Sequence, residues 1–263
     1  VTEFWRSTSV PGLEARRSCQ ERPCYRPHAH DAFSIGVIEE GTSVLTGQLD
    51  GPIGLEVGDV VVIPSGCVHA CNPGEGRWLY QMTHLDQGWA ASLAPRREAA
   101  HLFTGIRVLR QPGLRHRVGA LNDAIFGEEG RDPPLERRVA ALFREFAAAS
   151  PVHLVAVATD PELLALLRPV LHRLRFEESN PALAELAESV GLSTYQLIRA
   201  MRRATGLPPL AWRQNARVVT ARRLLREGRP IAETAHALGF TDQSHFHRVF
   251  RAHVAASPGV YRG

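Results

Sequence analysis

Lysine is missing from this chain: all 31 of its Lys and Arg positions are arginine, which together with abundant alanine points to a GC-rich genome more than to a particular chemistry. Cysteine is scarce. Cys19, Cys24, Cys67 and Cys71 are four in 263 residues, too few for a disulfide framework, and a reducing compartment keeps them as thiols. No stretch approaches the ~18 unbroken apolar residues that a membrane span needs, so a membrane role is not expected. The opening residues Val1 to Arg6 carry no basic segment followed by an apolar one. A secretion signal is therefore not expected, and the cytoplasm is the expected compartment.

What is present fits ordinary globular protein, with a hydrophobic share of 44% and a charged share of 22%. The length suits two domains of roughly 100 to 150 residues each. The net charge of +4 is unevenly placed: residues 1–110 carry 10 Arg against 12 Asp and Glu, residues 111–158 carry 6 against 6, and residues 159–263 carry 15 against 9. The positive excess sits at the C-terminal end, as a polyanionic partner would require, although a solvated basic helix face gives the same count.

From about Arg26 to Asp86 the chain consists of short runs rich in Val, Ile and Leu, punctuated by Gly, Pro and Asp. Phe33–Ile38, Thr42–Leu49, Gly54–Val57, Val60–Pro64 and Trp78–Thr83 have strand length and turn-forming borders, the spacing of an all-β sandwich or barrel. After Gln87 helical spacing takes over, through Leu93–Phe103, Leu114–Phe126 and Leu135–Ala148. Asp160-Pro161 is a cap followed by proline at the first helical position, which sets a domain boundary near residue 158. Asn180-Pro181 and Ser257-Pro258 repeat that signal, and Ser193-Thr194-Tyr195-Gln196 has the form of a capping box.

One pattern occurs twice beyond residue 158. Leu183–Val190 leads through Gly191-Leu192-Ser193 into Thr194–Ala204, and Ile231–Leu238 leads through Gly239-Phe240-Thr241 into Asp242–His253. Each is a helix, a glycine turn and a second amphipathic helix: the helix-turn-helix arrangement, whose second helix enters the major groove. Helical spacing turns Leu197, Ala200, Met201 and Ala204 inward and leaves Tyr195, Gln196, Arg199, Arg202 and Arg203 outward. In the second unit Phe246, Val249 and Phe250 turn inward, leaving Gln243, Ser244, His247, Arg248 and Arg251. Arginine can bond guanine in pairs and glutamine adenine, while Ser and His suit phosphates.

The residues Leu186-Ala187, Gly191-Leu192-Ser193, Thr205-Gly206, Arg217, Ala221, Leu224-Leu225, Ile231-Ala232, Gly239-Phe240, Gln243-Ser244, Phe246, Arg248, Phe250, Pro258 and Tyr261-Arg262 resemble the DNA-binding domain of the AraC/XylS family of regulators. The resemblance covers about 80 residues, from about Leu183 to Arg262. It implies a seven-helix domain whose long central helix, about Pro209–Arg226, holds two reading helices for successive major grooves, units 182–205 and 231–254. It also implies a double-stranded DNA operator, RNA polymerase and a second copy of the chain as partners, and activation more often than repression. Two positions depart from the family pattern. Ala255 stands where glycine is usual, costly if the backbone there is left-handed, and Trp212 stands where tyrosine is commoner.

His28-Ala29-His30 and the run Gly58 to His69 are similar to the two cupin motifs that supply metal ligands in that β-barrel. Three neutral imidazoles, His28, His30 and His69, would suit Zn, Ni or Fe. Ser34 stands about where the cupin glutamate is expected, which counts against an oxygen-activating enzyme, the alternative reading of this half. The histidines as pocket-shaping groups, Cys67 and Cys71 as thiolate sensors or as small core residues, and Trp78, Tyr80 and Met82 as barrel packing remain open at this point. The expected whole is an α+β chain: a cupin-like effector-binding barrel over 1–110, a helical linker supporting dimerisation over 111–158, and a DNA-binding domain over 159–263. A small-molecule or metal effector is expected to control DNA binding without catalysis.

Overall fold

The computed structural model describes residues 2–7, 10, 12–22, 25–48, 51–95, 99–127, 134–156, 160–177 and 179–263. Cys24 and the boundary expected near 158 lie outside them. The strands are β1 (Thr2–Arg6), β2 (Glu14–Gln20), β3 (Phe33–Glu40), β4 (Ser43–Thr46), β5 (Ile53–Leu55), β6 (Val60–Ile63), β7 (Ala70–Pro73), β8 (Trp78–Leu85), β9 (Gly105–Leu109) and β10 (His153–Ala156). The helices are α1 (Gln87–Leu93), α2 (Leu114–Phe126), α3 (Leu135–Ala148), α4 (Pro161–Phe176), α5 (Leu183–Glu188), α6 (Thr194–Thr205), α7 (Pro209–Arg226), α8 (Ile231–Ala237), α9 (Gln243–Val254) and α10 (Pro258–Arg262). No helix among the described residues is long and apolar enough to cross a membrane.

The chain divides into two units, one of Val1–Pro23 with Ala29–Val157, the other of Cys24–His28 with Ala158–Gly263. The first unit holds a seven-stranded sheet in the order β1-β2-β8-β3-β6-β9-β10 and a three-stranded sheet in the order β5-β4-β7, antiparallel throughout. Strand alternation gives the large sheet two chemically different faces. Ala15, Phe33, Ile35, Val37, Val60, Val62 and Leu85 face the apolar side of α2 and α3, where Val118, Leu121, Val139, Phe143 and Phe146 complete a buried core. The opposite positions, Arg16, Ser34, Trp78, Tyr80, Met82 and His84, are also buried.

Three expectations change here. The segment expected as a helical linker over 111–158 groups, as far as Val157, with the first unit, where the apolar stripes of α2 and α3 pack on one face of the large sheet. The helix expected over Leu93–Phe103 ends at Leu93, and a 3-10 turn occupies Ala100–Phe103. Strands β1, β2, β9 and β10 extend the sheet beyond the run that the Val, Ile and Leu pattern marks.

The second unit is helical through α4–α10. Proline starts α4 and α10 behind the caps Asp160 and Ser257, whose side chains accept from the backbone N–H groups of Leu163 and Val260. The helix expected after Asn180-Pro181 begins later, at Leu183, with Ala182 as its cap. Leu167, Val170 and Leu174 of α4 pack with Leu186, Ala187, Leu197, Met201 and Ala204. Around α9, Phe246 meets Phe240 and Phe250 at ring separations of 5.0 and 5.5 Å, and Phe250 meets Tyr261 at 5.5 Å. Arg213 of α7 is a buried cation, 1% exposed. Its guanidinium donates to the carbonyls of Leu174, Glu177 and Ser179 at 3.2, 2.6 and 2.6 Å, holding the end of α4 and the residues after it.

Helix α9 ends on Ala255 at φ 54°, ψ 19°, in the left-handed region. Among the described residues it is the one non-glycine at positive φ. An L side chain there costs roughly 1–2 kcal/mol, part of which glycine returns through its freer unfolded chain. Ala255→Gly is therefore expected to stabilise this unit by about 1 kcal/mol, read as a higher urea midpoint in its unfolding transition; a lowered midpoint would refute the strain.

Candidate nucleic-acid interface and barrel interior

The first of the two helices expected to read DNA, α6, is fixed at both ends by its own sequence. Ser193 Oγ accepts the Gln196 N–H at 3.3 Å while Gln196 Oε1 accepts the Ser193 N–H at 2.8 Å, a complete capping box. Gly206 ends the helix at φ 77°. The turn before it uses Gly191 at φ 67°, a conformation that glycine adopts without steric penalty. Leu197, Met201 and Ala204 are buried, while Tyr195, Gln196, Arg199, Arg202 and Arg203 are exposed. Tyr195, 68% exposed, lies under the Arg199 guanidinium at 5.6 Å, an arrangement that pre-orders the arginine tip.

Helix α9 repeats the construction. Asp242 caps it by accepting the His245 N–H at 2.6 Å, and this bond, with lesser contributions from Thr241 and Arg248, holds the Asp242 carboxyl below the usual range. Gly239 makes the turn at φ 66°. Phe246, Val249 and Phe250 are buried, Gln243, Ser244, Arg248 and Arg251 are exposed, and His247 is half-buried. Gln243 Nε2 lies 3.4 Å from His247 Nε2.

Every side chain expected to read DNA thus reaches solvent, but not all are equally available. Arg203 is paired with Asp160, and that bond is the largest of the causes that hold the Asp160 carboxyl down. Gln196 gives its oxygen to the capping box.

In the barrel, His30 and His69 come together with His84, which no sequence motif singled out. The ring of His30 lies 5.0 Å from that of His69 and 4.7 Å from that of His84. The β3–β8 register pairs Ser34 with His84, and Ser34 Oγ lies 2.8 Å from His84 Nδ1. A signal existed, since the alternation Trp78, Tyr80, Met82 continues to His84. On the other face of the strand, Thr83 hydrogen-bonds Asn122 of α2. His69 Nδ1 lies 2.9 Å from the Cys67 carbonyl, and burial drives its pKa down to about 4, so the ring is neutral. His28 groups with the second unit. Its ring stacks on Tyr25 at 5.5 Å and meets His253 edge-on at 6.2 Å.

Burial pushes the Cys67 thiol up to about 11 and the Cys71 thiol to about 12. Both remain protonated, as small apolar core side chains do. Beside them the Arg16 guanidinium lies 5.1 Å over the Tyr80 ring, which stacks on Trp78 at 4.0 Å. The barrel interior is therefore lined by aromatic faces, imidazoles and a buried cation, surroundings that suit a ligand better than a purely apolar core would.

Two family descriptions match this chain, an AraC-like ligand binding domain over residues 10–147 and a helix-turn-helix domain over residues 186–263. The chain belongs to the AraC family. The arabinose operon regulatory protein of Salmonella typhimurium is 28% identical over 213 residues, 78% of this chain and 74% of that protein. The transcriptional activator NphR of Rhodococcus is 31% identical over 144 residues, 50% of this chain but only 42% of NphR. ToxT from Vibrio cholerae shares the fold, with a TM-score of 0.58 at 11% identity over 95% of this chain and 98% of its own. This AraC-family chain is accordingly a DNA-binding transcription regulator with an N-terminal ligand-binding domain, and its relatives are named as regulators and not as enzymes.

Proposed function

We propose that this regulator is a sequence-specific activator controlled by an effector bound inside the barrel, acting as a homodimer in the cytoplasm and engaging RNA polymerase at its promoter. The observation that carries the reading is the pair of capped helices, α6 and α9, each presenting arginine and glutamine to solvent from a buried apolar seam. Two such helices in one chain can enter successive major grooves, each contributing a few base contacts within a larger set of phosphate contacts. The activating sense is supported by the relatives named as activators, NphR and the RhaS protein of Salmonella arizonae. An effector that binds one arrangement of the chain ten times better than another favours it by about 1.4 kcal/mol, enough to change promoter occupancy without any catalysis.

The test is selection of genomic fragments on the purified full chain, followed by footprinting of those retained. The expected result is one enriched sequence class, protected in two patches about one helical turn, or 10–10.5 base pairs, apart. Uniform retention of all fragments, falling with salt alike for each, would reduce the chain to a non-specific binder and overturn the proposal.

A further inference from the structure

Gln243 and His247 lie one helical turn apart on α9, with Gln243 Nε2 3.4 Å from His247 Nε2. Among the described residues neither side chain has another hydrogen-bond partner. Their neighbours Thr241, Asp242 and His245 are engaged with one another: Asp242 caps the His245 N–H, and Thr241 Oγ1 lies 3.3 Å from Asp242 Oδ2 and 3.1 Å from His245 Nδ1. We propose that His247 is a positioning residue for Gln243, holding its carboxamide so that this place on α9 reads adenine in the major groove.

The donor chemistry selects the base. An amide nitrogen can only donate, so the imidazole nitrogen that faces it accepts and the ring proton sits on Nδ1. One of the two amide hydrogens is thereby spent on His247. What remains toward solvent is a carbonyl oxygen and one N–H, the pair that matches the N6 amino group and N7 of adenine. The opposite orientation needs the ring proton on Nε2 and leaves two N–H groups, a match for the N7 and O6 acceptors of guanine. The pairing also restrains a long side chain before DNA arrives, so less rotamer freedom is lost when both contacts to one base form.

The first unit is built alike at the same places. Counted from the turn glycines, Gln243 and His247 stand four and eight residues beyond Gly239, as Tyr195 and Arg199 stand beyond Gly191. There too the two side chains meet, the guanidinium 5.6 Å over the ring. The coupled pair in α6 ends in a guanidinium, which suits guanine, and the pair in α9 presents a carboxamide, which suits adenine. The oxygen of Gln196 already accepts within the capping box, so Gln243 is the better placed of the two glutamines to take the adenine amino group.

The inference rests on the reading of α9 as a DNA-reading helix and is tested on the full chain. The fragment that the parent chain retains most tightly serves as probe, in versions carrying each of the four base pairs at every position, with affinities compared by competition anisotropy. Gln243→Ala marks the position that Gln243 reads, as the one where discrimination is lost. The parent is expected to prefer adenine there by roughly 5- to 150-fold, the range of a good bidentate pair. His247→Ala should lower that preference at least about threefold at the same position, while His247→Gln, which keeps a neutral acceptor of similar reach, should retain most of it. In a Gln243→Ala background, His247→Ala should leave base preference unchanged. A phosphate contact or a merely structural role would weaken all sequences alike and move no preference. If His247→Ala does not fold, His247→Leu removes the acceptor while keeping the bulk.

A parent that prefers another base at that position, no position relaxed by Gln243→Ala, or a preference untouched by loss of the His247 acceptor would overturn the proposal and leave the regulator reading standing. So would a change at a different position, which would give His247 a base contact of its own. A parent chain that retains no fragment specifically defeats the regulator reading and this inference with it.

Discussion

Alanine at Arg199 or at Arg248 is expected to weaken binding to the selected operator by roughly 1–3 kcal/mol, about 5- to 150-fold in Kd. Both side chains are exposed on the outer edges of α6 and α9, whose inner edges are buried. The weakening should therefore come from the missing arginine–DNA interaction, without unfolding. Arg199 is already ordered over Tyr195, so its bound geometry costs less side-chain entropy than a free arginine would. Arg203 is engaged by Asp160, and Arg203→Ala should cost less than either.

Fluorescence anisotropy over a salt series distinguishes the two roles an arginine can have. Removing one that touches a base edge relaxes specificity at a single operator position. Removing one that holds a phosphate weakens binding to all sequences alike and lowers the salt slope by about one. Unchanged operator affinity in both variants would show that α6 and α9 are not the reading surface.

The parts of this chain that could be read from residues alone are those whose signals are local. The Ser193 to Gln196 box, Asp160-Pro161 and Ser257-Pro258 each satisfy the first backbone donors of a helix within one turn, and each begins a helix as read. The inward and outward faces of α6 and α9 follow from a 3.6-residue period over twelve residues in each. Ala255 departs from the family's glycine at a helix end, and its backbone is left-handed, the conformation in which that departure is strained.

What escaped depends on partners far along the chain. Strand β2, Glu14–Gln20, has no apolar alternation because it buries Glu14, Arg16 and Ser18 on one side, charges that read as solvated until β8 is laid beside them. Strands β9 and β10 are short, and each finds its partner more than forty residues earlier in sequence, β9 on β6 and β10 on β9. Helices α2 and α3 looked like a bridge because periodicity shows that a stripe is buried, not against what. His84 continues the alternation of Trp78, Tyr80 and Met82, but its partner Ser34, fifty positions earlier, shows only in the strand register.

Arg213 is the sharpest case, and its replacement is the second large effect expected. In an arginine-rich helix of a DNA-binding domain it reads as one more surface cation. In the structure it is buried, and burial lowers its pKa. A buried guanidinium is tolerated because it is hydrogen-bonded, here to three backbone carbonyls that the end of α4 cannot satisfy within the helix. Arg213→Ala removes all three donors and opens a cavity between α7 and α4. The expected loss is about 3–4 kcal/mol from this unit, within the range for removing one partner of a buried charged network. Arg213→Lys keeps the charge but cannot span three acceptors with the same fork, so it should recover only part of that loss. Urea unfolding followed by circular dichroism checks both variants. An alanine variant within about 0.5 kcal/mol of the parent, the usual range for a surface substitution, would mean that water replaces the clamp without penalty and that α4 does not depend on it.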